Sequence, residues 1–324
     1  MPDADTRTDG NLDAAAETAV RECLALGADE SLVVVTDDER APIGEALYRA
    51  GRAVTEEASI VRYPPGDQHG EEPPATAAAA LRAADAFLAP TTKSISHTRA
   101  RAAACDDGAR GATLPGITEE VFTTGLAADY DAIREACDRM RGLVDGAEEV
   151  RVTTPQGTDV RFAIGDRAWH SDTGTIHEPG AFSNLPAGEV FVSPEGAEGR
   201  VVVDGTIMPH GRLDGRRVTF EIADGYVTDV DDDAVREELE TAAEAVGRDA
   251  YNVAELGIGT NLAVTELAGS VLLDEKAGGT VHVAVGDDAS IGGDTEAPIH
   301  TDGILTEPTV HVDGERIDLP STEE

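Results

Sequence analysis

Two histidines and an aspartate in the C-terminal half have the types and spacing of a metal-binding group. His300 and Asp302 in PIHTDG are two residues apart, so the alternation of a strand puts both side chains on one face. His282 lies inside the apolar run TVHVAVG, where a buried imidazole needs either a hydrogen-bond partner or a metal ion. A second His-x-Asp pair, His311 and Asp313, belongs to the turn sequence VDGE, and we expect it to be structural.

Two glutamates extend this group. Glu189 in NLPAGEVF and Glu255 in AELGIGTN border or interrupt apolar segments, where a carboxylate without a partner is costly to bury. With the two histidines and the aspartate they form a nitrogen and oxygen ligand set that suits Zn²⁺, Co²⁺, Mn²⁺ or Fe²⁺. The sequence therefore predicts a metal centre made of Glu189, Glu255, His282, His300 and Asp302.

Four segments in this order, NLPAGEVF, AELGIGTN, DEKAGGTVHVAVG and IHTDG, together resemble the metal-binding half of the aminopeptidase T family. The resemblance covers most of residues 140–324 and, more loosely, the upstream segments TKSISHTRAR and GATLPGITEE. It implies a two-domain chain that forms a homodimer, acts on short peptides and binds two divalent metal ions, Zn, Co or Mn. The ligands carried over from the family pattern are Glu189, Glu255, His282, His300 and Asp302.

On this resemblance we expect a metal-dependent hydrolase of the aminopeptidase type. It would remove N-terminal residues from peptides by means of a metal-activated water, with Glu255 bridging the metals and either Glu189 or another, unassigned acid moving the proton. One position departs from the family pattern, because the tyrosine that follows the equivalent of His282 is absent from GDDASIGGD. Its absence predicts either a slow peptidase or a different reaction.

Two other functions stay open. The same superfamily includes the ring-cleaving 2,5-dihydroxypyridine dioxygenase, which would hold a single Fe(II) ion on His282, His300 and Asp302. Glu189 and Glu255 would then support the ligands or contact the substrate. Because a dinuclear centre needs both glutamates and a mononuclear iron centre does not, their presence favours the hydrolase. The third function is that of a metal-binding protein without turnover.

The densest group of basic residues lies in TKSISHTRAR. It comprises the cations Lys93, Arg99 and Arg101 together with the hydroxyl of Ser94 and the imidazole of His97. Two interpretations are open for it. The cations would either pair with the protein's own acidic residues or bind a carboxylate or phosphate of the substrate.

Acidic residues dominate the charge of the chain, with 64 Asp and Glu against 25 Lys and Arg, and the net charge is −39. Such a surface excludes a nucleic-acid partner, which needs clustered cations, and is typical of a salt-adapted protein from a halophilic cytoplasm. The absence of a leader and of any apolar run of about 18 residues predicts a cytoplasmic protein without a membrane partner. Cys23, Cys105 and Cys137 lack metal-site spacing and are expected to be buried thiols.

Alternating helix and strand patterns predict an α/β domain with a parallel sheet over residues 1–145. The period then changes to two, which predicts a β-rich α+β metal-binding domain over 146–324. The predicted helices are 12–27, 42–54, 76–84, 130–144 and 232–247, and the predicted strands of the first domain are 31–38, 59–63 and 85–90.

Overall fold

The structure is a computed structural model that describes residues 5–321, with side chains from residue 11 onward. By its internal contacts the chain divides into two compact units. The first comprises the chain up to residue 130 together with 174–187, and the second comprises 131–173 and the chain from 188 onward. The sequence-based boundary is at residue 145, whereas here residues 131–144 group with the second unit and the segment 174–187 returns to the first unit, where it adds a strand to the sheet.

Helices and strands alternate at first and give way to a long series of strands. The helices in chain order are α1 (Asp5–Thr18), α2 (Ala41–Arg52), α3 (Ala75–Ala83), α4 (Arg99–Asp106), α5 (Glu119–Gly125), α6 (Tyr130–Val144), α7 (Asp233–Val246) and α8 (Val271–Asp274). The strands up to the last one of the first unit are β1 (Leu32–Asp37), β2 (Ala58–Tyr63), β3 (Ala86–Thr91), β4 (Arg110–Pro115), β5 (Glu149–Thr153), β6 (Asp159–Ala163), β7 (His170–Asp172) and β8 (Phe182–Asn184). The remaining strands are β9 (Glu189–Val192), β10 (Gly196–Val203), β11 (Thr206–Ile207), β12 (Gly211–Arg212), β13 (Val218–Ala223), β14 (Tyr226–Val230), β15 (Val253–Gly259), β16 (Val281–Gly286), β17 (His300–Leu305), β18 (Thr309–Val312) and β19 (Glu315–Ile317).

The first unit is built on a parallel sheet with strand order β2-β1-β3-β4-β8. Every residue of β1 and β3 is buried, as expected for parallel strands that helices cover on both faces. Val33, Val35 and Phe87 pack with Leu81 of α3 in the core. Burial of these apolar side chains is the main source of stability for the unit.

The first predicted helix differs from the observed one. The α-helical part ends at Thr18 and continues as a wider turn over Ala19–Cys23, rather than running to residue 27. Leu24 donates its N–H to the carbonyl of Ala19, and Ala25 has a φ of 48°, which a helix does not tolerate. The sequence prediction also missed α4, β4 and α5, which are short and lack a clear apolar period.

The second unit consists mainly of two antiparallel sheets. Their strand orders are β14-β13-β10-β6-β5-β18-β19 and β12-β11-β17-β16-β15-β9-β7. Buried and half-buried residues alternate along β13, whereas all residues of β15 and β16 are buried. The predicted fold class, an α/β region with a parallel sheet followed by a β-rich α+β region, is confirmed.

Cys23 and Cys137 are buried thiols, while Cys105 is half-buried. Burial raises the pKa of Cys137 to about 12, although its Sγ lies 3.2 Å from the Oγ1 of Thr260. Across residues 5–321, none of the helices combines the length and the apolar character needed to span a bilayer.

Candidate metal centre

The five side chains predicted as ligands come from four adjacent strands of one sheet in the second unit. Glu189 opens β9, Glu255 is the third residue of β15, and His282 is the second residue of β16. His300 and Asp302 are the first and third residues of β17 and therefore share a face. Because these strands are neighbours in the order β17-β16-β15-β9, the sheet brings residues far apart in sequence into one cluster.

Small residues opposite the polar side chains leave room for the cluster. A Cβ atom on Gly257 would lie 1.9 Å from the Nε2 of His282, a distance that no side chain can accept. Glycine at this position therefore admits the imidazole between two buried strands. The cross-strand pairs of this kind are Glu189 with Gly259, His282 with Gly257, Asp302 with Ala284, and His300 with Gly286.

Glu255 lies between the two imidazoles. Its Oε1 is 3.2 Å from the Nε2 of His282, and its Oε2 is 3.4 Å from the Nε2 of His300. The Oδ1 of Asp302 is 3.6 Å from the same nitrogen of His300, and the Oε2 of Glu189 is 3.3 Å from that of His282. Among the described side chains these atoms form two overlapping groups that could hold a metal ion, Glu189-Glu255-His282 and Glu255-His300-Asp302.

A hydrogen bond determines which nitrogen of His300 faces the cluster. Its Nδ1 lies 2.7 Å from the carbonyl oxygen of Asp287, and since a carbonyl only accepts, Nδ1 carries the proton. In the neutral imidazole the lone pair of Nε2 then points at the carboxylates of Glu255 and Asp302. That arrangement is repulsive unless a proton or a cation lies between them. Backbone bonding at the second nitrogen is also typical of metal-bound histidine.

The electrostatics of the cluster favour positive charge. Burial opposes the charged form of His282, yet Glu255 and Glu189 raise its pKa to about 9. Burial likewise opposes the charge on His300, and Asp302 and Glu255 raise its pKa well above the usual range. The pKa of Glu255 is held well below its usual range by the two imidazoles, although its burial acts in the opposite direction. A bound metal ion would replace these protons.

A lysine that the sequence analysis did not place in the site lies against Glu189. The Nζ of Lys276 is 2.8 Å from the Oε1 of Glu189 and also donates to the Oε1 of Glu275. The side chain of Lys276 is only 3% exposed. Burial raises the pKa of Glu275 to about 8, and Lys276 opposes that shift. The available signal was composition, since Lys276 is one of only two lysines in the chain.

The segment where the peptidase pattern has its tyrosine is held by its own acidic residues. The carboxylate of Asp288 is buried and accepts hydrogen bonds from Ser193, Asn252 and the N–H of Thr295. The carboxylate of Asp287 accepts from the backbone of the same segment. These two aspartates therefore shape the segment that presents His300.

Other residues singled out from the sequence have partners within the chain. Arg99 forms an ion pair with Glu72 at 3.2 Å, and the guanidinium carbon of Arg101 lies 4.2 Å from the ring centroid of Phe182. Asp313 has a φ of 49° and accepts hydrogen bonds from two backbone N–H groups beside the start of β5. Internal pairing thus accounts for the two arginines, and a turn accounts for the aspartate.

Residues 15–318 match a protein family described as NicX, 2,5-dihydroxypyridine 5,6-dioxygenase. The chain belongs to this family. A curated relative of that name from Pseudomonas putida is 24% identical over 190 residues, which cover 55% of this chain and 54% of the relative. The chain thus spans about half the length of the curated relative in that alignment.

Solved structures show the same fold as this member of the NicX family. The structure of 2,5-dihydroxypyridine dioxygenase from Pseudomonas putida superposes with a TM-score of 0.79 at 19% identity, covering 97% of this chain and 98% of the other. Wild-type AmpT from Thermus thermophilus superposes with a TM-score of 0.68 at 18% identity, covering 95% and 97%. Both superpositions show that the two solved structures share the fold of this chain.

The aminopeptidase-type hydrolase expected from the sequence is wrong for this NicX family member, because both the family and the curated relative are dioxygenases. The expected pair of Zn, Co or Mn ions receives no support either. The prediction relied on the presence of Glu189 and Glu255, but Glu189 has an ammonium partner and Glu255 lies between two imidazoles. These interactions account for the presence of both glutamates without a peptidase reaction.

Proposed function

We propose that the chain is a ring-cleaving dioxygenase that acts on a dihydroxylated pyridine ring and uses an Fe(II) ion held by His282, His300 and Asp302. The observation that carries this proposal is the orientation of His300, whose Nε2 faces two carboxylates while its Nδ1 donates to a backbone carbonyl. Membership of the dioxygenase family supports the reaction class.

The donor set suits iron. Two imidazoles and one carboxylate are the ligands that non-haem Fe(II) oxygenases use, and they leave coordination positions for other groups. An Fe(II) ion bound there would supply the redox chemistry through which dioxygen reacts with an electron-rich ring. The burial of His282 and Asp302 excludes bulk water from this side of the centre.

Glu255 has a positioning role in this proposal. Its two oxygens lie 3.2 Å and 3.4 Å from the Nε2 atoms of His282 and His300, so one carboxylate orients both rings. The two imidazoles keep its pKa low, and it stays ionised across the neutral range. Glu255 therefore holds negative charge beside the ligands without itself taking up a proton.

Glu189 is the group best placed to accept a proton from a ring hydroxyl. Its Oε1 accepts a hydrogen bond from Lys276, while its Oε2 is buried and has no hydrogen-bond partner within the described part of the chain. Burial raises the pKa of Glu189, against the opposing effect of Lys276 and His282. A carboxylate with a raised pKa is a more effective general base near neutral pH.

Oxygen consumption on a defined substrate tests the proposal. Protein purified without oxygen in molar KCl is loaded with Fe(II) and given 2,5-dihydroxypyridine and isotopically labelled dioxygen. We expect one dioxygen consumed per substrate, loss of the aromatic absorbance, and a ring-opened product that contains both labelled atoms. The ring bond that breaks takes up both oxygens, so no other reductant is needed.

The chain offers a matched control, because it contains two His-x-Asp pairs. His300→Ala should abolish oxygen consumption, whereas His311→Ala, in the second pair, should leave it near the wild-type rate. Formation of hydrogen peroxide in place of a labelled product, or equal activity of the two variants, would contradict the proposal.

A further inference from the structure

Lys276 places a positive charge on one side of the metal centre. Its ammonium lies between Glu189 and Glu275 and makes a hydrogen bond with each of them. The side chain is 3% exposed, so the ammonium has exchanged water for these carboxylates. Burial of an ammonium is costly unless such partners compensate it, which makes this an interaction that the fold specifically maintains.

The two sides of the centre differ in what neutralises their carboxylates. On one side the Oε2 of Glu255 and the Oδ1 of Asp302 lie 3.4 Å and 3.6 Å from the Nε2 of His300. On the other side Glu189 already has a cation, the ammonium of Lys276, at 2.8 Å. In the second group of ligand atoms, from Glu189, Glu255 and His282, the carboxylate of Glu189 therefore already has a cationic partner.

The backbone around Lys276 keeps the ammonium in place. Asn261 donates its N–H to the carbonyl of Lys276 at 2.8 Å, and Gly278 donates to the carbonyl of Asn261 at 3.0 Å. Gly259 packs so closely on this segment that a Cβ there would lie 2.1 Å from the carbonyl oxygen of Ala277. The backbone from which the Lys276 side chain extends is therefore held by the neighbouring segments.

We propose that the ammonium of Lys276 occupies the position of a second cation and so restricts this centre to one divalent metal ion. The inference rests on the proposed function in one respect, that the cluster binds a metal at all. On this proposal the number of metal ions bound depends on Lys276 as well as on the ligand residues.

Two physical reasons support the exclusion. A second ion on Glu189 and Glu255 would compete with Lys276 for the Oε1 of Glu189, and it would lie in contact with a like charge at low dielectric. Lysine suits this role better than arginine, because its ammonium is a compact point charge on a flexible stem. Lys276 is one of two lysines in a chain whose other Lys and Arg residues are all arginine.

Metal stoichiometry tests the proposal independently of turnover. The full chain is titrated with Mn²⁺ alone in molar KCl, and bound metal is counted by mass spectrometry and by electron paramagnetic resonance. We expect one Mn²⁺ per wild-type chain, with the spectrum of an isolated ion. Lys276→Met should bind a second Mn²⁺ and show spin coupling, because paired metal sites lie about 3.5–4 Å apart.

Two further variants identify the cause. Lys93→Met removes the other lysine of the chain and should still bind one Mn²⁺. Adding Glu189→Gln to Lys276→Met should return the stoichiometry from two to one, because the second ion then loses one of its two carboxylate ligands. Lys276→Gln, which keeps a polar group in the same space, provides a second test if the methionine variant does not fold.

The outcomes separate this inference from the proposed function. Two Mn²⁺ ions on the wild type, or a single ion on well-folded Lys276→Met and Lys276→Gln, overturn the role of Lys276 and leave the iron site standing. No Mn²⁺ on the wild type, with Fe(II) and Co²⁺ also failing to bind, overturns both proposals together.

Discussion

The two units of the molecule bury charged side chains in different ways. In the first unit Arg110 is nearly inaccessible, and its guanidinium donates to both oxygens of Glu30 at 2.8 and 2.7 Å and to the carbonyl of Leu24. In the second unit the Oε2 of Glu189 and the Nδ1 of His282 are buried without a hydrogen-bond partner among the described residues. The carboxylate in the first unit is bonded through both oxygens, whereas Glu189 accepts a hydrogen bond from Lys276 through Oε1 only.

Asp37 illustrates the first arrangement further. This buried carboxylate belongs to the last residue of β1. It accepts hydrogen bonds from the backbone N–H groups of Glu39, Arg40 and Thr92. A buried polar group with such partners needs no ligand to explain it. The comparison teaches that burial of charge does not by itself identify a functional site. The convergence of several potential ligand atoms on one point is the additional observation in the second unit.

Removal of a proposed ligand should have the largest effect. His300→Ala deletes the nitrogen that faces Glu255 and Asp302, and we expect metal affinity to fall by more than the roughly 10–100-fold that loss of a supporting residue costs. Metal content after gel filtration measures this effect. His311→Ala is the control and should bind metal like the wild type, because His311 lies in a different sheet of the same unit. Equal losses in the two variants would show that the comparison is wrong.

Filling the space opposite His282 should have the next largest effect. The added methyl group of Gly257→Ala would sit 1.9 Å from the Nε2 of His282, so we expect a loss of about 1–3 kcal/mol in unfolding free energy together with loss of bound metal. Gly142→Ala is the matched control, because that glycine lies in α6 and its Cβ would meet nothing within 4 Å. Alanine there should stabilise the helix by up to about 1 kcal/mol. Chemical denaturation measures both changes.

Breaking the satisfied pair in the first unit should affect stability without affecting metal binding. Glu30→Gln removes the charge opposite the buried Arg110, and we expect a loss of about 1–3 kcal/mol after allowance for the partial exposure of Glu30. The hydrogen bond from Arg110 lowers the pKa of Glu30 below that of an ordinary glutamate, so this stability is present above the pKa of the unfolded state.

The sign of the pH effect follows from that direction. As the pH falls through the lowered pKa of folded Glu30, the carboxylate takes up a proton and the contribution is lost. Denaturation midpoints of wild type and Glu30→Gln should therefore converge at acid pH. Asp159→Asn, which breaks an exposed pair with Arg151, is the control and should change stability less. A constant difference between wild type and Glu30→Gln at all pH values would contradict the ion-pair explanation.

The smallest expected effect concerns Cys137, whose thiol should not react in the folded protein. Its thiol lies close to the Oγ1 of Thr260 and to the backbone carbonyl of Glu189, and burial raises its pKa to about 12. Iodoacetamide at pH 8 should therefore leave Cys137 unmodified in the folded protein and react first with half-buried Cys105. Mass spectrometry of digests before and after denaturation measures this order. Rapid modification of Cys137 in the folded protein would contradict the expected protection of this thiol by burial.

The elements with a strong local pattern were predictable from the sequence. The helix over 130–144 and the alternating segments that became β1, α2, β2, α3 and β3 agree with the structure to within a residue or two. The segment that became β8 gave no such signal. Phe182–Asn184 is only three residues long and is a strand because β4 offers it a parallel edge.

The site shows the same division. Residue type and the two-residue spacing of His300 and Asp302 pointed to a metal centre, and the structure places the five predicted residues together. The contribution of Lys276 could not be predicted, because its position beside Glu189 depends on contacts between segments distant in sequence. The reaction was predicted incorrectly, since the same ligand types serve hydrolases and dioxygenases.

The sequence by itself determined the fold class, the acidic surface and the chemical types of the candidate ligands, because these depend on composition and local periodicity. Only the tertiary structure decided which atoms face one another. The pairing of His282 with Gly257, the orientation of the His300 Nε2 towards the carboxylates and the ammonium on Glu189 all follow from strand order and register. Those are set by packing over the whole sheet, which no local pattern encodes.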